Sequence, residues 1–256
     1  MIVLTRFGKR IQAILNKMRP GYKNKSYAIN DLDIKLRKFL SNKNGFFIEA
    51  GANDGISQSN TLFFEKYRGW EGLLIEPIPF LAEKCKKNRP GCIIENCALV
   101  SEDYSKPTIE MHYCNLMSIV KGFRVDEKEY IDIGKKYLRG GEDDFIISVP
   151  AFTLNELMSK HKISHVDLLS LDVEGYEFEA LKGIDFSRYR IDYLLIEVFH
   201  KDRENINNLL SNNYQPISTL SQNEMFSDIL YRHKGNKLVD KLFAQFMRHS
   251  KQNKSM

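Results

Sequence analysis

Five short apolar runs recur through the middle of the chain, at 45–49 (GFFIE), 72–76 (GLLIE), 92–96 (CIIEN), 166–171 (VDLLSL) and 193–198 (YLLIEV). Runs this short, bounded by turn residues and showing little alternation with polar positions, predict strands buried on both faces. Between them, apolar residues at three- and four-residue spacing predict helices at about 59–67, 79–87, 153–160, 177–181 and 202–210. Thr153 stands three residues ahead of Glu156, the spacing of a capping box. Strands alternating with helices in this way predict an α/β fold, a parallel sheet with crossover helices on both faces. Two further strands, 214–220 and 225–232, flank the hairpin-length loop Ser221-Gln222-Asn223-Glu224. Parallel strands cannot be joined by so few residues, so one of this pair must run against the rest.

The ends and one internal stretch break this rhythm. Ile2, Val3, Phe7, Ile11, Ile14, Leu15 and Met18 alternate with Arg6, Lys9, Arg10 and Lys17, which predicts a basic amphipathic helix ended by Pro20-Gly21. A similar pattern runs over 238–247. Such helices either dock on an anionic membrane surface or pack on their own domain. Residues 101–148 are charged and glycine-bearing and read as an insertion, which is a lid, a substrate-binding loop or disordered. The chain therefore divides into a basic N-terminal segment at 1–30, a main domain at 31–232 and a basic C-terminal helix at 233–256.

Charge sharpens this division. The net charge of +5 combines seven Lys/Arg and no acid in residues 1–30 with seven Lys/Arg against Asp240 in residues 231–256. The body keeps 38 − 14 = 24 bases and 33 − 1 = 32 acids, a net of −8. An acidic body argues against a nucleic-acid partner, which demands a continuous basic track. The four cysteines, Cys85, Cys92, Cys97 and Cys114, lack CxxC spacing and read as reduced packing residues. No run matches a membrane span or a secretory h-region, so a cytoplasmic protein is expected, with its basic ends able to meet the inner face of the membrane.

Candidate chemistry collects at the ends of the predicted strands. The first runs into Gly51-Ala52-Asn53-Asp54-Gly55, where glycines allow a sharp turn and close approach of a ligand to the backbone. This is not GxGxxG, and the missing third glycine counts against a dinucleotide-dependent dehydrogenase. Glu76 ends the second strand 21 residues after Gly55, where a carboxylate can accept both hydrogen bonds of a ribose diol. A neutral turn preceded by Glu49 suits a cationic ligand better than a pyrophosphate. Asp172 and Glu174 end the fourth strand, and Glu197 and His200 the fifth. Glu174, Glu197 and His200 are candidates for a general base. The donors of Asp172, Glu174, Glu197 and His200 are of types a hard cation takes, but their spacing fixes no coordination geometry, and no metal site is assigned. Tyr113, Phe123, Tyr130 and Tyr137 in the insertion either stack on a sugar ring or form a small core of their own, and His112 is left without a role.

The strings FFIEAGANDGISQSNTLFFE, GWEGLLIEPIP, ENCALV, TLNELM, VDLLSLDVEGYEFEALKGI and YLLIEV, in this order, resemble the FkbM-type S-adenosylmethionine-dependent methyltransferases over about residues 39–232. The resemblance implies a Rossmann-like, seven-stranded class I methyltransferase sheet ending in an antiparallel hairpin. It also implies S-adenosylmethionine as cofactor and O-methylation, commonly of sugars or polyketides. Carried over by position, Glu49, Gly51, Asn53 and Gly55 match the cofactor turn and Glu76 the ribose-binding acid. Asn96, Cys97 and Ala98 fall at the adenine pocket. Ser59 and Asn60 either hold the methionine end or cap the next helix, and Asp172, by its place at the strand end, can bind the methionine ammonium. The implied acceptor is a sugar hydroxyl in a surface glycan. The alternatives are a small natural product as acceptor, or a binding module that has lost catalysis on the same fold. Nucleic-acid methylation is disfavoured, since neither Asn/Asp-Pro-Pro-Tyr nor a Pro-Cys pair occurs.

Overall fold

The computed structural model describes residues 6–18, 21–124, 126–138 and 140–235. In chain order the elements are α1 (Arg6–Lys17), α2 (Leu32–Leu36), β1 (Phe46–Ala50), α3 (Leu62–Arg68), β2 (Glu71–Ile75), α4 (Pro79–Asn88), β3 (Ile93–Glu95), β4 (Ala98–Leu99), β5 (Thr108–Tyr113) and β6 (Ile119–Val120). They continue with α5 (Glu127–Gly134), β7 (Phe145–Phe152), α6 (Leu154–Lys160), β8 (His165–Leu171), α7 (Glu177–Lys182), β9 (Arg190–Phe199), α8 (Arg203–Leu210), β10 (Tyr214–Gln222) and β11 (Phe226–His233).

Seven strands form one sheet in the order β10-β11-β9-β8-β1-β2-β3. Neighbours from β9 through β3 pair in parallel, while β11 runs against both β9 and β10. The hairpin strand that opposes the rest is therefore β11. Alternate residues of each strand face opposite layers. Phe47, Leu74, Leu168, Leu195 and Leu230 pack with Leu36, Phe64, Trp70 and Cys85 on one face. Ile48, Leu73, Leu169, Leu194 and Ile229 pack with residues of α6, α7 and α8, such as Leu157, Leu181 and Ile206, on the other. Burial on both sides explains why the parallel strands read as continuous apolar runs. Each such side chain, fully buried, contributes about 1.5–3 kcal/mol of transfer free energy. The capping box forms: Thr153 Oγ1 accepts from the Glu156 amide, and the Glu156 carboxylate accepts from the Thr153 amide.

The described residues of the insertion, with β4 and β7 on its flanks, build a second, four-stranded sheet in the order β4-β7-β5-β6. β7 runs antiparallel to β5 and reaches Phe152, past the expected boundary at 148. Ile109, Met111, Tyr113, Val120 and Val149 of this sheet share a core with Ile78, Leu81 and Tyr176 of the main domain. The sheet is thus fixed against the main domain as a wall.

Helix α1 is formed as the three- and four-residue spacing of its apolar positions predicts, and it packs in part on its own domain. Ala13 is buried and Asn16 Nδ2 donates to the Lys66 carbonyl of α3 at 2.9 Å, while Ile14, Leu15 and Met18 face outward. The amphipathic stretch at 238–247 lies outside the described residues. No helix among the described residues is long and apolar enough to cross a membrane.

Candidate functional site

The strand order reverses between β1 and β8, and in an open α/β sheet ligands collect outside the carboxyl ends of the strands at such a point. A pocket lies there, lined by the β1 loop, Glu76, Cys97, Ala98, Asp172 and Glu174, with Met111 of β5 and Asn115 and Ser118 of the β5–β6 connection as its far wall. The register explains the convergence. Ala50 pairs with Ile75 and with Leu171, Leu171 with Ile196, and Glu197 with Asp228. One step further on, Glu76, Gly51, Asp172, Glu197 and Asp228 fall in a single row across the strand ends.

The β1 side of the pocket is built around Glu49. Its carboxylate accepts from the Ser59 hydroxyl, the Asn60 amide at 2.7 Å and the Thr61 hydroxyl at 2.5 Å. These bonds hold 59–61 in a loop, which is why α3 begins at Leu62 and not at the expected 59. Ser59 Oγ also accepts from the Leu62 amide at 3.1 Å, so Ser59 is consumed by the helix start. Arg89 is fully buried beneath: it pairs with Glu65, lies 3.7 Å from Glu49 and donates to the Gly55 carbonyl and to Ser59 and Thr61. Glu49 therefore acts through the loop it organises. Asn60 donates to Ser170 at 3.0 Å, but its buried Oδ1 has no partner and the residue lines the pocket.

Gly51 and Gly55 take φ of +80° and +79°, and a Cβ on Gly51 would lie 1.8 Å from the Asp172 carbonyl oxygen, so only glycine fits there. Asn53, at φ +49°, gives its amide to Glu76 Oε2 at 2.7 Å, while Glu76 Oε1 accepts from the Ile78 amide at 2.9 Å. Each oxygen keeps a second acceptor site. Burial raises the Glu76 pKa to about 8 against the pull of the two amides. Asn96 is spent on the carbonyls of Glu76 and Pro77, whereas Cys97 and Ala98 line the pocket.

The β8 side is an assembly of acids. Glu174 has φ of +58°, and the hydroxyl of Tyr130, on α5, donates to its Oε2. Burial raises the Glu174 pKa to about 7, against Tyr130 and Arg124. Glu177 Oε1 accepts the amides of Val173 and Gly175 at 2.8 and 3.1 Å. Asp172 and Glu197 are raised by burial and then by the surrounding carboxylates. His200 is not brought into this group. β9 continues through Phe199, leaving His200 exposed on the following turn with Nε2 3.2 Å from Ser227 Oγ. Glu197 lies beside the pocket, next to Asp172, and does not line it.

Sequence reasoning missed Arg89, Glu177, Arg124 and Asp228. Only Asp228 carried a signal, as an acid inside a predicted strand. The sequence offers Tyr113 and Tyr130 alike as rings that stack on a sugar or form a small core, and gives no sign that the Tyr130 hydroxyl meets Glu174. Tyr113 is in fact core, packed between Phe80 and Phe145, Phe123 rests on Tyr176, and His112 pairs with Asp144.

The pocket fits the cofactor implied by the sequence. Glu76 offers acceptors for a ribose diol, and Asn60 Oδ1 and Asp172 offer acceptors for an ammonium group. No curated protein matches the chain. Among solved structures it is similar to the FkbM methyltransferase of Methylobacillus flagellatus, at 13% identity over 89% of this chain and 60% of that one with a TM-score of 0.45. It is also similar to a Thermoplasma acidophilum protein, at 9% identity over 92% and 99% with a TM-score of 0.42. A third similar structure is M. capricolum TrmK with S-adenosyl-homocysteine, at 10% identity over 79% and 67% with a TM-score of 0.44. The family model for the methyltransferase FkbM domain matches residues 49–236, spanning every strand of the main sheet except the first three residues of β1. The chain belongs to the FkbM methyltransferase family, and its cofactor is S-adenosylmethionine.

Proposed function

We propose that this enzyme O-methylates a sugar hydroxyl during glycan synthesis in the cytoplasm. The observation that carries the reading is Glu174, a carboxylate on the pocket wall whose Oε2 is held by Tyr130 and whose Oε1 remains for a proton. When bound, S-adenosylmethionine supplies an electrophilic methyl group on a positively charged sulfur. Glu174 accepts the proton of the acceptor hydroxyl, and its left-handed backbone together with Tyr130 fixes the carboxylate for that transfer. Asn115, Ser118 and Asp172 give the pocket hydrogen-bonding groups suited to a polyol, and Tyr176 gives it a ring face. Incubating the enzyme with labelled cofactor and a panel of nucleotide- and lipid-linked sugars should yield a methyl ether located by mass spectrometry. Methylation of a small natural product with no sugar turnover would replace the acceptor class, and cofactor binding with no transfer would leave a binding module.

Helix α1 supports access to a lipid-linked acceptor. Ile14, Leu15 and Met18 face outward, Met18 at 76% exposure, and the neighbouring Lys17 lies near Lys43 and Arg68. An apolar patch among bases complements anionic lipid. The full chain should sediment with phosphatidylglycerol vesicles and not with phosphatidylcholine vesicles. Equal behaviour with both would remove the membrane from the proposal.

A further inference from the structure

Beside the pocket, three carboxylates converge from separate elements. One oxygen each of Asp172, Glu177 and Glu197 lies within 4.8 Å of the others. Glu197 is 9% exposed, and its Oε2 is buried with no hydrogen-bond partner. The charged groups that weigh most on Glu197 are Asp172, Glu174, Glu177 and Asp228, all of them acids. For Asp172 they are Glu174, Glu177, Asp228 and Glu49, again all acids. The nearby cation Arg124 is turned to Asp126 and to the Glu174 carbonyl. Packing carboxylates together out of water is strongly unfavourable without a compensating charge.

We infer that Asp172, Glu177 and Glu197 bind a hard divalent cation, Mg²⁺ or Mn²⁺, at the edge of the methyl-transfer pocket. Oxygen-only ligands from carboxylates select such ions, and distances of about 2.1 Å from a shared metal place ligand oxygens about 3–4 Å apart. Glu177 is already oriented for this, since the amides of Val173 and Gly175 hold its Oε1. Three protein ligands leave coordination positions open toward the pocket, where Asp172 is exposed to it. A second set of donors, His165, Asp167 and Asp192, is also close enough to share an ion. Its carboxylates are already engaged: Asp167 accepts from the Phe46 amide and Asn42, and Asp192 pairs with Arg190 and His165.

The test is titration of the cofactor-free full chain with Mn²⁺, followed by electron paramagnetic resonance, with Mg²⁺ as competitor. Because it uses no cofactor and no acceptor, its result is independent of the proposed reaction. One saturable Mn²⁺ per chain is expected, displaced by Mg²⁺, weakened at least tenfold by Glu197→Gln and unchanged by Asp192→Asn. If Glu197→Gln fails to give a cooperative thermal transition, Asp172→Asn carries the same expectation. No saturable binding at millimolar Mn²⁺ would overturn the inference and leave a shared proton as the compensating charge. Binding insensitive to both pocket variants, or lost in Asp192→Asn, would overturn it equally.

Discussion

The two sides of the pocket hold their acids in opposite ways. On the β1 side, Glu49 is saturated by Ser59, Asn60 and Thr61, with Arg89 beneath it. Glu76 is fixed by two backbone amides. On the β8 side, Asp172 and Glu197 meet mainly other carboxylates, and one Glu197 oxygen has no partner at all. The first side is a finished scaffold that shapes a loop around a ligand. The second keeps acceptors in reserve for positive charge or for hydroxyl donors that arrive from outside. A folded protein tolerates such a reserve where function uses it.

The largest effect expected from breaking the comparison lies on the finished side. Arg89→Met leaves Glu49 and Glu65 without their buried cation and should cost about 3–5 kcal/mol, read as a lowered urea midpoint. On the reserve side the same experiment should show a smaller loss, about 1–3 kcal/mol, because Tyr130→Phe removes only the hydroxyl that holds Glu174. Its signature is kinetic: kcat lower by about tenfold with the S-adenosylhomocysteine Kd unchanged. A fall in cofactor affinity instead would move Tyr130 out of the base assembly.

A pH series sharpens the contrast further. The Glu76 carboxyl has its ordinary pKa of 4.5 in the unfolded chain and about 8 in the fold. The folded state therefore holds the proton more tightly, and the associated stability is full below 4.5 and lost as pH rises to about 8. The Tm of the cofactor-free protein should fall across this window, and Glu76→Ala should flatten that fall. The smallest effect belongs to the outward face of α1. Leu15→Ser should change stability by less than about 0.5 kcal/mol while reducing sedimentation with anionic vesicles.

The parts of this architecture visible in the sequence were those that a local pattern encodes. The parallel strands are apolar on both faces and so stand out as runs, and the short connection expected at Ser221–Glu224, which the structure places at 223–225, forces an antiparallel partner, which is β11. Gly51, Asn53, Glu76 and Asp172 were legible because a turn at a strand end exposes its chemistry within a few residues. What stayed hidden depends on contacts distant in sequence. Arg89 sits in a charged KKNRPG stretch that reads as a solvated helix end, yet it anchors residues 24 to 40 positions earlier. β4 and β7 pair across the whole insertion, so neither looked like part of a sheet. His200 fell out of the site because β9 runs one residue further than its apolar core, past Val198 to Phe199.

The central claim is that Glu76 and the β1 loop form the cofactor site, and calorimetric titration with S-adenosylhomocysteine tests it without knowledge of the acceptor. Wild type should bind with one site per chain, and Glu76→Ala should bind at least about tenfold more weakly, since the two lost hydrogen bonds are worth about 0.5–1.5 kcal/mol each. Equal affinity in a folded Glu76→Ala variant, or no binding by folded wild type, would contradict the account.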